Sequence, residues 1–392
     1  MSGVGLLRGR IVVLAAAIVG VLATGTWFAL AGASAQERPG HSGTAAPRTA
    51  PRSHLQQVAD VPLRVVSVSP ASHSGSVDGA SPVRVVFSTA LAADSPRPKL
   101  SPKIAGSWHQ VSADALEFVP RQAFGQQTLV KLRVPAGTKG VRSAGGGLLA
   151  KQVTTWFRTG TFSATRLQQL LAELGYLPLN WAPATTDSAP TDANAQLSAA
   201  FSPPLGKFTW QSGYPAGLRT FWRKGSSSLI MTGAVMAFES DHGMTMDGAA
   251  GPAVWTAVLK AAADGQDNPH GYTYALASQK TPETLTIWHN GRKVFHNLAN
   301  TGIPVAPTTV GTDPVYLRYR FQIMKGLNPD GTKYADPVSW VAYFRAGEAV
   351  HYFPRYSYGF QQSLGCVELP YGPAERAWPY LTYGSLVTVT AP

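Results

Sequence analysis

Residues 362–369, Gln-Ser-Leu-Gly-Cys-Val-Glu-Leu, contain Cys366, the only cysteine in a chain of 392 residues. A lone cysteine is most often a small, inert, buried hydrophobe. Two features favour a reactive thiol here. The neighbouring Ser363 and Gly365 permit the close backbone approach that an oxyanion site built from N–H groups requires. In addition, the N-terminal segment predicts export to a place where a free thiol has no pairing partner in its own chain, so its retention needs a reason.

A histidine lies close to this thiol along the chain. His351 is 15 positions upstream of Cys366, near the end of the apolar stretch Ala349–Phe353. Two adjacent strands can bring the imidazole beside the thiol. A Cys–His pair is the minimal activated nucleophile, because the imidazole takes the thiol proton and the thiolate attacks a carbonyl.

These residues resemble the signature of the YkuD-type catalytic domain of the L,D-transpeptidases. That signature is a His, a short spacer, and then Ser/Thr-His-Gly-Cys followed by an apolar residue. His351 matches the first His, and Val367 matches the apolar position. Three of the four positions between them are matched by Ser363, Gly365 and Cys366. The upstream residues 301–302 and 307–312 also resemble the family's entry to this region.

Two positions depart from the signature. Leu364 stands where the family has His, and Glu368 stands where Asn or Arg is common. Because the essential base in the family pattern is the upstream His, we interpret Leu364 as a tolerated variant. A catalytically degenerate enzyme is the alternative.

The resemblance implies a two-step acyl transfer on peptidoglycan stem peptides. The Cys366 thiolate would attack the carbonyl between the third residue of a stem tetrapeptide and its terminal D-Ala. His351 would accept the thiol proton and later protonate the departing amine. A side-chain amine of a second stem would then resolve the thioester and form a cross-link. Water as the acceptor would make the enzyme an L,D-carboxypeptidase with the same site.

Other residues near the motif are expected to shape the substrate and oxyanion site. Backbone N–H groups of Gly365 and its neighbours would hold the oxyanion, while Ser363 would place His351 or the substrate, or cap a turn. Tyr352 would line the cleft, and Gly359 would allow the preceding loop to turn. The resemblance predicts acylation by carbapenem-type inhibitors. It implies no cofactor, and the scattered His residues form no metal-binding pattern.

Outward from the motif, residues 270–392 are predicted to form an all-β catalytic domain. Thr284–Trp288 and Lys293–Phe295 flank an Asn-Gly pair, which is the strongest short hairpin signal. Further predicted strands are Val315–Phe321, Trp340–Phe344, Ala349–Phe353 and Leu386–Val389.

Residues 164–263 are predicted to be helical. One apolar helix face has leucines at i, i+3, i+4 and i+7, namely Leu167, Leu170, Leu171 and Leu174. Pro252 suits the first position of a later helix. The stretch 237–248, together with Gly251-Pro252 and Trp255, resembles the small three-helix peptidoglycan-binding domain. An insert at 178–229, which the short form of that family lacks, carries aromatics that we expect to pack on the helices rather than stack on glycan or peptide.

Residues 63–160 are predicted to form an immunoglobulin-like β-sandwich. Val130, Leu132 and Val134 alternate with Lys131 and Arg133, and similar short alternating runs are separated by turns. Residues 68–71 and 82–88 resemble bacterial immunoglobulin-like modules. We expect a spacer or a substrate-positioning role.

Residues 1–35 are predicted to be a signal peptide or a membrane anchor. Arg8 and Arg10 precede a long apolar run, and the small residues 33–35 suit cleavage. The run extends to about 20 residues, enough to span a bilayer, so cleavage and anchoring both remain open. Residues 36–62 have the composition of a flexible spacer. The folded part is therefore expected outside the cytoplasm, in the cell wall or at the outer face of the cytoplasmic membrane.

Composition is consistent with a multidomain, mainly β protein. Charged residues are 14%, against about 25% in an average domain, which argues against a coiled coil. The formal net charge of +12 favours contact with anionic wall polymers or lipid headgroups, or serves only solubility. Nucleic acid is not expected as a partner, because there is no dense basic cluster. The leading hypothesis is an exported L,D-transpeptidase of cell-wall biogenesis that binds peptidoglycan stem peptides and glycan; a non-catalytic wall-binding scaffold is the alternative.

Overall fold

The structure, a computed structural model, describes residues 62–186, 190 and 192–392. The predicted signal or anchor at 1–35 and the predicted spacer, apart from its last residue, lie outside the described residues. No helix in the described part of the chain is long and apolar enough to cross a bilayer.

The strands between residues 65 and 158 form two antiparallel sheets, ordered β1-β2-β5-β4 and β3-β6-β7. They are β1 Val65–Ser69, β2 Val83–Phe87, β3 Lys99–Ser101, β4 Gly106–Ser112, β5 Ala115–Pro120, β6 Leu129–Val134 and β7 Val153–Arg158. The alternation predicted for β6 is confirmed, since Val130, Leu132 and Val134 are fully buried while the intervening cations are exposed. The immunoglobulin-like assignment and the domain limits stay predictions.

The next region combines helices with a two-stranded antiparallel sheet. Its elements are α1 Ala164–Glu173, β8 Leu179–Pro183, α2 Ala193–Phe201, β9 Gly206–Trp210, a 3-10 helix Ala216–Phe221, α3 Leu229–Asp241 and α4 Pro252–Asp264. The leucine face of α1 is buried as predicted. Helix α4 begins with Pro252, directly after the N-cap Gly251. Proline suits this first position because an N–H group there would have no partner within the helix.

The insert predicted at 178–229 packs on this helical core. Its aromatic side chains contact the core cluster rather than standing free in solvent: Phe208, Trp210, Tyr214, Phe221 and Trp222. The insert also contains α2, where Gln196 Oε1 accepts a 2.6 Å hydrogen bond from the buried Arg166 of α1. The expectation that the aromatics pack on the helices is confirmed.

The C-terminal region contains two sheets, ordered β12-β11-β10-β18-β13 and β14-β15-β16-β17. The strands are β10 Thr273–Ser278, β11 Thr284–His289, β12 Arg292–Leu298, β13 Gly311–Pro314, β14 Leu317–Leu327, β15 Lys333–Arg345, β16 Glu348–Tyr352, β17 Val367–Leu369 and β18 Leu386–Thr390. The predicted Asn-Gly hairpin joins β11 to β12, with φ of 47° at Asn290 and 75° at Gly291. A core of small and branched apolar side chains lies on these sheets.

The all-β prediction for this region is wrong, because a helix, α5 Tyr371–Ala377, follows β17. Pro370 precedes the helix, and Ala374 and Ala377 face the core. Seven residues are too few to show a helical period in the sequence.

The prediction also missed most of the long β14–β15 hairpin. Strand β14 runs to Leu327 and β15 begins at Lys333, well before the predicted start at Trp340. Much of the hairpin is exposed, and both of its faces carry polar as well as apolar side chains. Its sequence therefore lacks the alternation of apolar and polar residues that marks a half-buried strand.

Helix α3 packs directly on the C-terminal sheets. Gly233 of α3 and Gly384, just before β18, approach so closely that a Cβ on either would clash with the carbonyl oxygen of the other. Tyr274 and Leu386 of the sheet belong to the same apolar cluster as the helices. The helical region and the sheets therefore share a continuous core.

Candidate active site

The thiol and the imidazole are brought together by two neighbouring parallel strands. His351 lies on β16, and Cys366 immediately precedes β17, with Val350 paired to Val367 and His351 to Glu368. This is the adjacency that the sequence predicted. Both side chains line one cleft of about 260 Å³.

The walls of this cleft come from the β14–β15 hairpin, from β16 and the loop after it, and from the cysteine motif. The lining residues include Met324, Asn328, Tyr334, Asp336, Val338, Gly347, Phe353, Arg355, Gln362, Leu364 and Glu368. The hairpin wall is mixed, because the polar side chains of Asn328, Tyr334 and Asp336 accompany two apolar ones.

His351 is held as a neutral base. Its ring is buried, and Nδ1 lies 2.8 Å from the carbonyl oxygen of Tyr352, which can only accept a hydrogen bond. The proton is therefore on Nδ1, and Nε2 has a free lone pair. Burial lowers the pKa of His351, an effect that the Tyr352 carbonyl and the Glu368 carboxylate oppose. The imidazole is consequently neutral at pH 7.

Cys366 is held as a neutral thiol. Burial raises its pKa to about 12, the Ala349 N–H counteracts this, and the carboxylates of Glu368 and Glu348 add to it. Sγ faces the carbonyl oxygen of Gly347 at 3.8 Å. Among the described residues, no hydrogen bond joins this sulfur to His351. The site thus contains a neutral thiol and a neutral imidazole rather than a thiolate–imidazolium pair.

Ser363 shapes the turn that presents the cysteine. It is fully buried, and its Oγ donates to the carbonyl oxygen of Cys366 at 2.6 Å and accepts from the N–H of Gly365 at 3.2 Å. Gly365 has a φ of 110°, which disfavours any residue with a side chain. Of the roles expected for Ser363, the geometry fits turn capping. The N–H of Gly365 is engaged within the turn, which differs from the oxyanion role expected for it.

The remaining predicted residues do not line the cleft. Side chains alternate along a strand, so Tyr352 points away from His351 and stacks edge-on with Tyr371, with centroids 5.1 Å apart. The Tyr352 ring is therefore not among the side chains that line the cleft. Its carbonyl oxygen contributes to the site instead, by accepting the hydrogen bond that orients His351. Gly359, with a φ of 111°, donates its N–H to Asn300 Oδ1 at 2.9 Å and forms a loop bend, as expected, but no cleft wall.

A partly buried ion pair beside the catalytic candidates was not predicted. Glu368, noted only as a departure from the signature, is nearly buried and pairs with Arg355. The Arg355 pKa is raised, chiefly by its hydrogen bond to Glu368. Arg355 also donates from Nη2 to the carbonyl oxygen of Gln362 at 2.9 Å. No local pattern marks Arg355, because its partner lies in a different segment.

The hairpin contributes two further residues that sequence reasoning missed. Tyr334 and Asp336 project from β15 into the cleft, and they lie in the part of the strand that was not predicted.

No group of three or more His, Cys, Asp or Glu side chains among the described residues is arranged to hold a metal ion.

The C-terminal region matches the model of a known protein family. Residues 272–389 match the YkuD family model, described as the L,D-transpeptidase catalytic domain. This segment contains strands β14 to β17 and the cysteine motif, which together form the cleft. No curated protein sequence matches the chain.

Solved structures of L,D-transpeptidases show only low similarity. One from Mycobacterium smegmatis is 15% identical, covers 84% of this chain and 100% of its own, and has a TM-score of 0.29. L,D-transpeptidase 3 from Mycobacterium tuberculosis, with a faropenem-derived adduct, is 17% identical over 83% of this chain and 98% of its own, with a TM-score of 0.28. The catalytic domain of the E. faecium enzyme is 23% identical over 30% of this chain and 95% of its own, also at 0.28. At such TM-scores the likeness carries no argument, so the assignment depends on the family match.

Proposed function

We propose that this protein is an L,D-transpeptidase that cross-links peptidoglycan stem peptides, with Cys366 as the nucleophile and His351 as the base. One observation carries the proposal: in the segment that matches the catalytic-domain family, both side chains line one cleft, with the free Nε2 of His351 available as a proton acceptor. A thiol and a neutral base in one cleft are the minimum for acyl transfer through a thioester.

In the first step, His351 Nε2 removes the proton from Cys366 as sulfur attacks the donor carbonyl. The sulfur–carbon bond forms, the electron pair moves to the carbonyl oxygen, and an N–H of the motif loop stabilises the oxyanion. Because the Gly365 N–H is engaged by Ser363, the donor is a neighbouring N–H of the same loop. Collapse of this intermediate breaks the bond to D-Ala, and His351 returns the proton to the leaving amine.

In the second step, an acceptor replaces the thiol at the acyl carbon. An amine of a second stem gives a cross-link, whereas water gives a shortened stem peptide. Both outcomes use the same residues, so transpeptidase and L,D-carboxypeptidase activities differ only in the acceptor.

The other parts of the chain extend this proposal. Residues 1–35 would export or anchor the protein, and residues 164–263 would bind peptidoglycan and bring the cleft to its substrate. The protein would then act in the cell wall or at the outer face of the cytoplasmic membrane.

A wall-binding scaffold with a degenerate catalytic domain is the second candidate. Two observations favour it: Cys366 and His351 are not hydrogen-bonded to each other among the described residues, and Leu364 occupies the signature's second His position on the cleft wall. Under this alternative the thiol would not react.

Intact mass measurement after incubation of the full-length protein with a carbapenem tests the proposal. We expect a one-to-one adduct on the parent, no adduct on Cys366→Ala, and slow adduct formation on His351→Ala. Glu375→Gln, a change on the exposed face of α5, is the control and should behave like the parent. An unmodified but folded parent would favour the scaffold. Product analysis with stem tetrapeptides then separates cross-linking from hydrolysis.

A further inference from the structure

We propose that Asp336 binds the positively charged amine of the acceptor and so favours cross-linking over hydrolysis. This inference rests on the proposed function and concerns its second step. It assigns a specificity role to a cleft residue outside the cysteine motif.

Asp336 faces the cleft because of its place on β15. Tyr334, Asp336 and Val338 alternate on the strand face that lines the cleft, while the residues between them face outward. The cross-strand partner of Asp336 is Met324, which also lines the cleft. The carboxylate is thus on the wall of the cleft that the β14–β15 hairpin forms.

The Asp336 carboxylate has no hydrogen-bond or ion-pair partner among the described residues, although its side chain is half-buried. The other cleft carboxylate, Glu368, is neutralised by Arg355 through two hydrogen bonds. The Arg355 guanidinium also interacts with the Asp336 carboxylate, but its single positive charge balances only one of the two carboxylates. With the thiol and the imidazole neutral, the residues that line the cleft therefore carry one net negative charge. A half-buried anion in this setting is a binding site for a cation of the substrate.

The acceptor supplies such a cation. A primary side-chain amine is an ammonium ion at pH 7, whereas the donor carbonyl and water are neutral. Asp336 is close enough to act on the imidazole: the pKa of His351 is lowered by burial, and the Asp336 carboxylate partly counteracts this. An ammonium held by Asp336 would therefore arrive near the group that must take its proton.

The chemistry of the step balances with the groups present. The ammonium loses two protons as its nitrogen bonds to the acyl carbon and the carbon–sulfur bond breaks. One proton passes through His351 to the departing Cys366 sulfur, and the other is released to solvent. Asp336 takes no part in bond making, so it is a positioning residue for the acceptor.

The test compares acceptors on the acyl-enzyme of the full-length protein, formed from a stem tetrapeptide. The acceptors are a stem tripeptide with a free side-chain amine, hydroxylamine, which is uncharged near neutral pH, and water. Asp336→Asn should bind the ammonium acceptor more weakly. We therefore expect the ratio of amine product to hydrolysis product to fall about tenfold. The hydroxylamine-to-water ratio should not change, since neither acceptor is cationic. Because the Asp336 carboxylate also acts on His351, the acylation rate of the variant is measured separately, and both ratios are taken on acyl-enzyme that has already formed.

Two variants separate charge from structure. Asp336→Glu keeps the charge and should retain most of the preference for the amine. Glu375→Gln removes one negative charge from the exposed face of α5 and should have no effect.

The outcomes distinguish this inference from the proposed function. A parent that forms no acyl-enzyme overturns both. An Asp336→Asn enzyme that forms the acyl-enzyme and keeps the parent's amine-to-water ratio overturns only the role of Asp336. A fall in the hydroxylamine ratio equal to that of the amine would also overturn it, because the effect would then be general to the second step.

Discussion

Arg355 and Glu368 form a two-point ion pair in the cleft, with Nε to Oε2 and Nη2 to Oε1 both at 2.8 Å. The Glu368 side chain is 5% exposed and that of Arg355 is 27% exposed. The pair holds the loop after β16 against β17, next to both catalytic candidates. It therefore contributes to the shape of the site as well as to its charge.

Arg355→Ala should lower the free energy of unfolding by about 2 kcal/mol. It leaves the Glu368 carboxylate nearly buried without a partner, although partial exposure reduces the ~3–5 kcal/mol cost of a fully buried pair. Urea unfolding followed by tryptophan fluorescence measures this. The control is Arg142→Ala, which breaks an exposed pair with Asp94 and should cost less than about 1 kcal/mol. Equal losses in the two variants would contradict the prediction.

The rate of acylation should be constant from about pH 7 to 9 and fall only in acid. His351 must be neutral to accept the proton, and burial lowers its pKa, so protonation begins below its ordinary value of 6.5. Burial raises the pKa of Cys366 to about 12, so no thiolate forms in this range. The decline of the carbapenem acylation rate should therefore have a midpoint below pH 6.5.

Thiolate absorbance at 240 nm provides an independent check on the neutral pair. We expect no change between pH 5 and 9 in the difference between parent and Cys366→Ala. A thiolate signal with a midpoint near neutral pH would show an ion pair instead.

The lowered pKa of His351 also makes stability depend on pH. As the pH falls, the unfolded state binds the His351 proton before the folded state does, so the free energy of unfolding should decrease below pH 6.5.

Ser363→Ala should slow acylation roughly tenfold, because a small misplacement of the nucleophile is costly. The variant removes the donor to the Cys366 carbonyl and the acceptor of the Gly365 N–H, both in a buried turn. We expect a loss of stability of about 1–3 kcal/mol. Ser363→Thr retains the hydroxyl and should recover part of the acylation rate. Unchanged kinetics in the alanine variant would show that the turn holds its shape without this hydroxyl.

Gly384→Ala should destabilise the contact between α3 and the C-terminal sheets by about 2–4 kcal/mol. The residue has a φ of 78°, and a methyl group would clash with the Gly233 carbonyl. Gly265→Ala is the control: its φ is 66°, but nothing lies within 4 Å of the added carbon. It should therefore cost only about 1 kcal/mol, from the strained backbone. Thermal unfolding of both variants measures the difference. Equal shifts in their melting temperatures would contradict the prediction and would mean that the contact between the two backbones can relax.

Local patterns in the sequence determined the elements that repeat on a short scale. Alternation placed β6, the Asn-Gly pair placed the β11–β12 hairpin, and leucine spacing placed the buried face of α1. The sequence alone also indicates Cys366 and His351, because a lone cysteine with a nearby histidine is a chemical pattern visible in one dimension. These features depend on residues that are close in sequence.

Only the tertiary structure decided which groups surround the thiol. The β14–β15 hairpin brings Asp336 into the cleft, and the fold brings Arg355 to Glu368. Strand alternation turns the Tyr352 ring away while leaving its carbonyl on His351. The sequence determined the nucleophile and base that we propose, because their identity is chemical. The fold decided their protonation and the charge of the cleft, because burial and Coulomb interactions depend on distances between residues that the chain order does not specify.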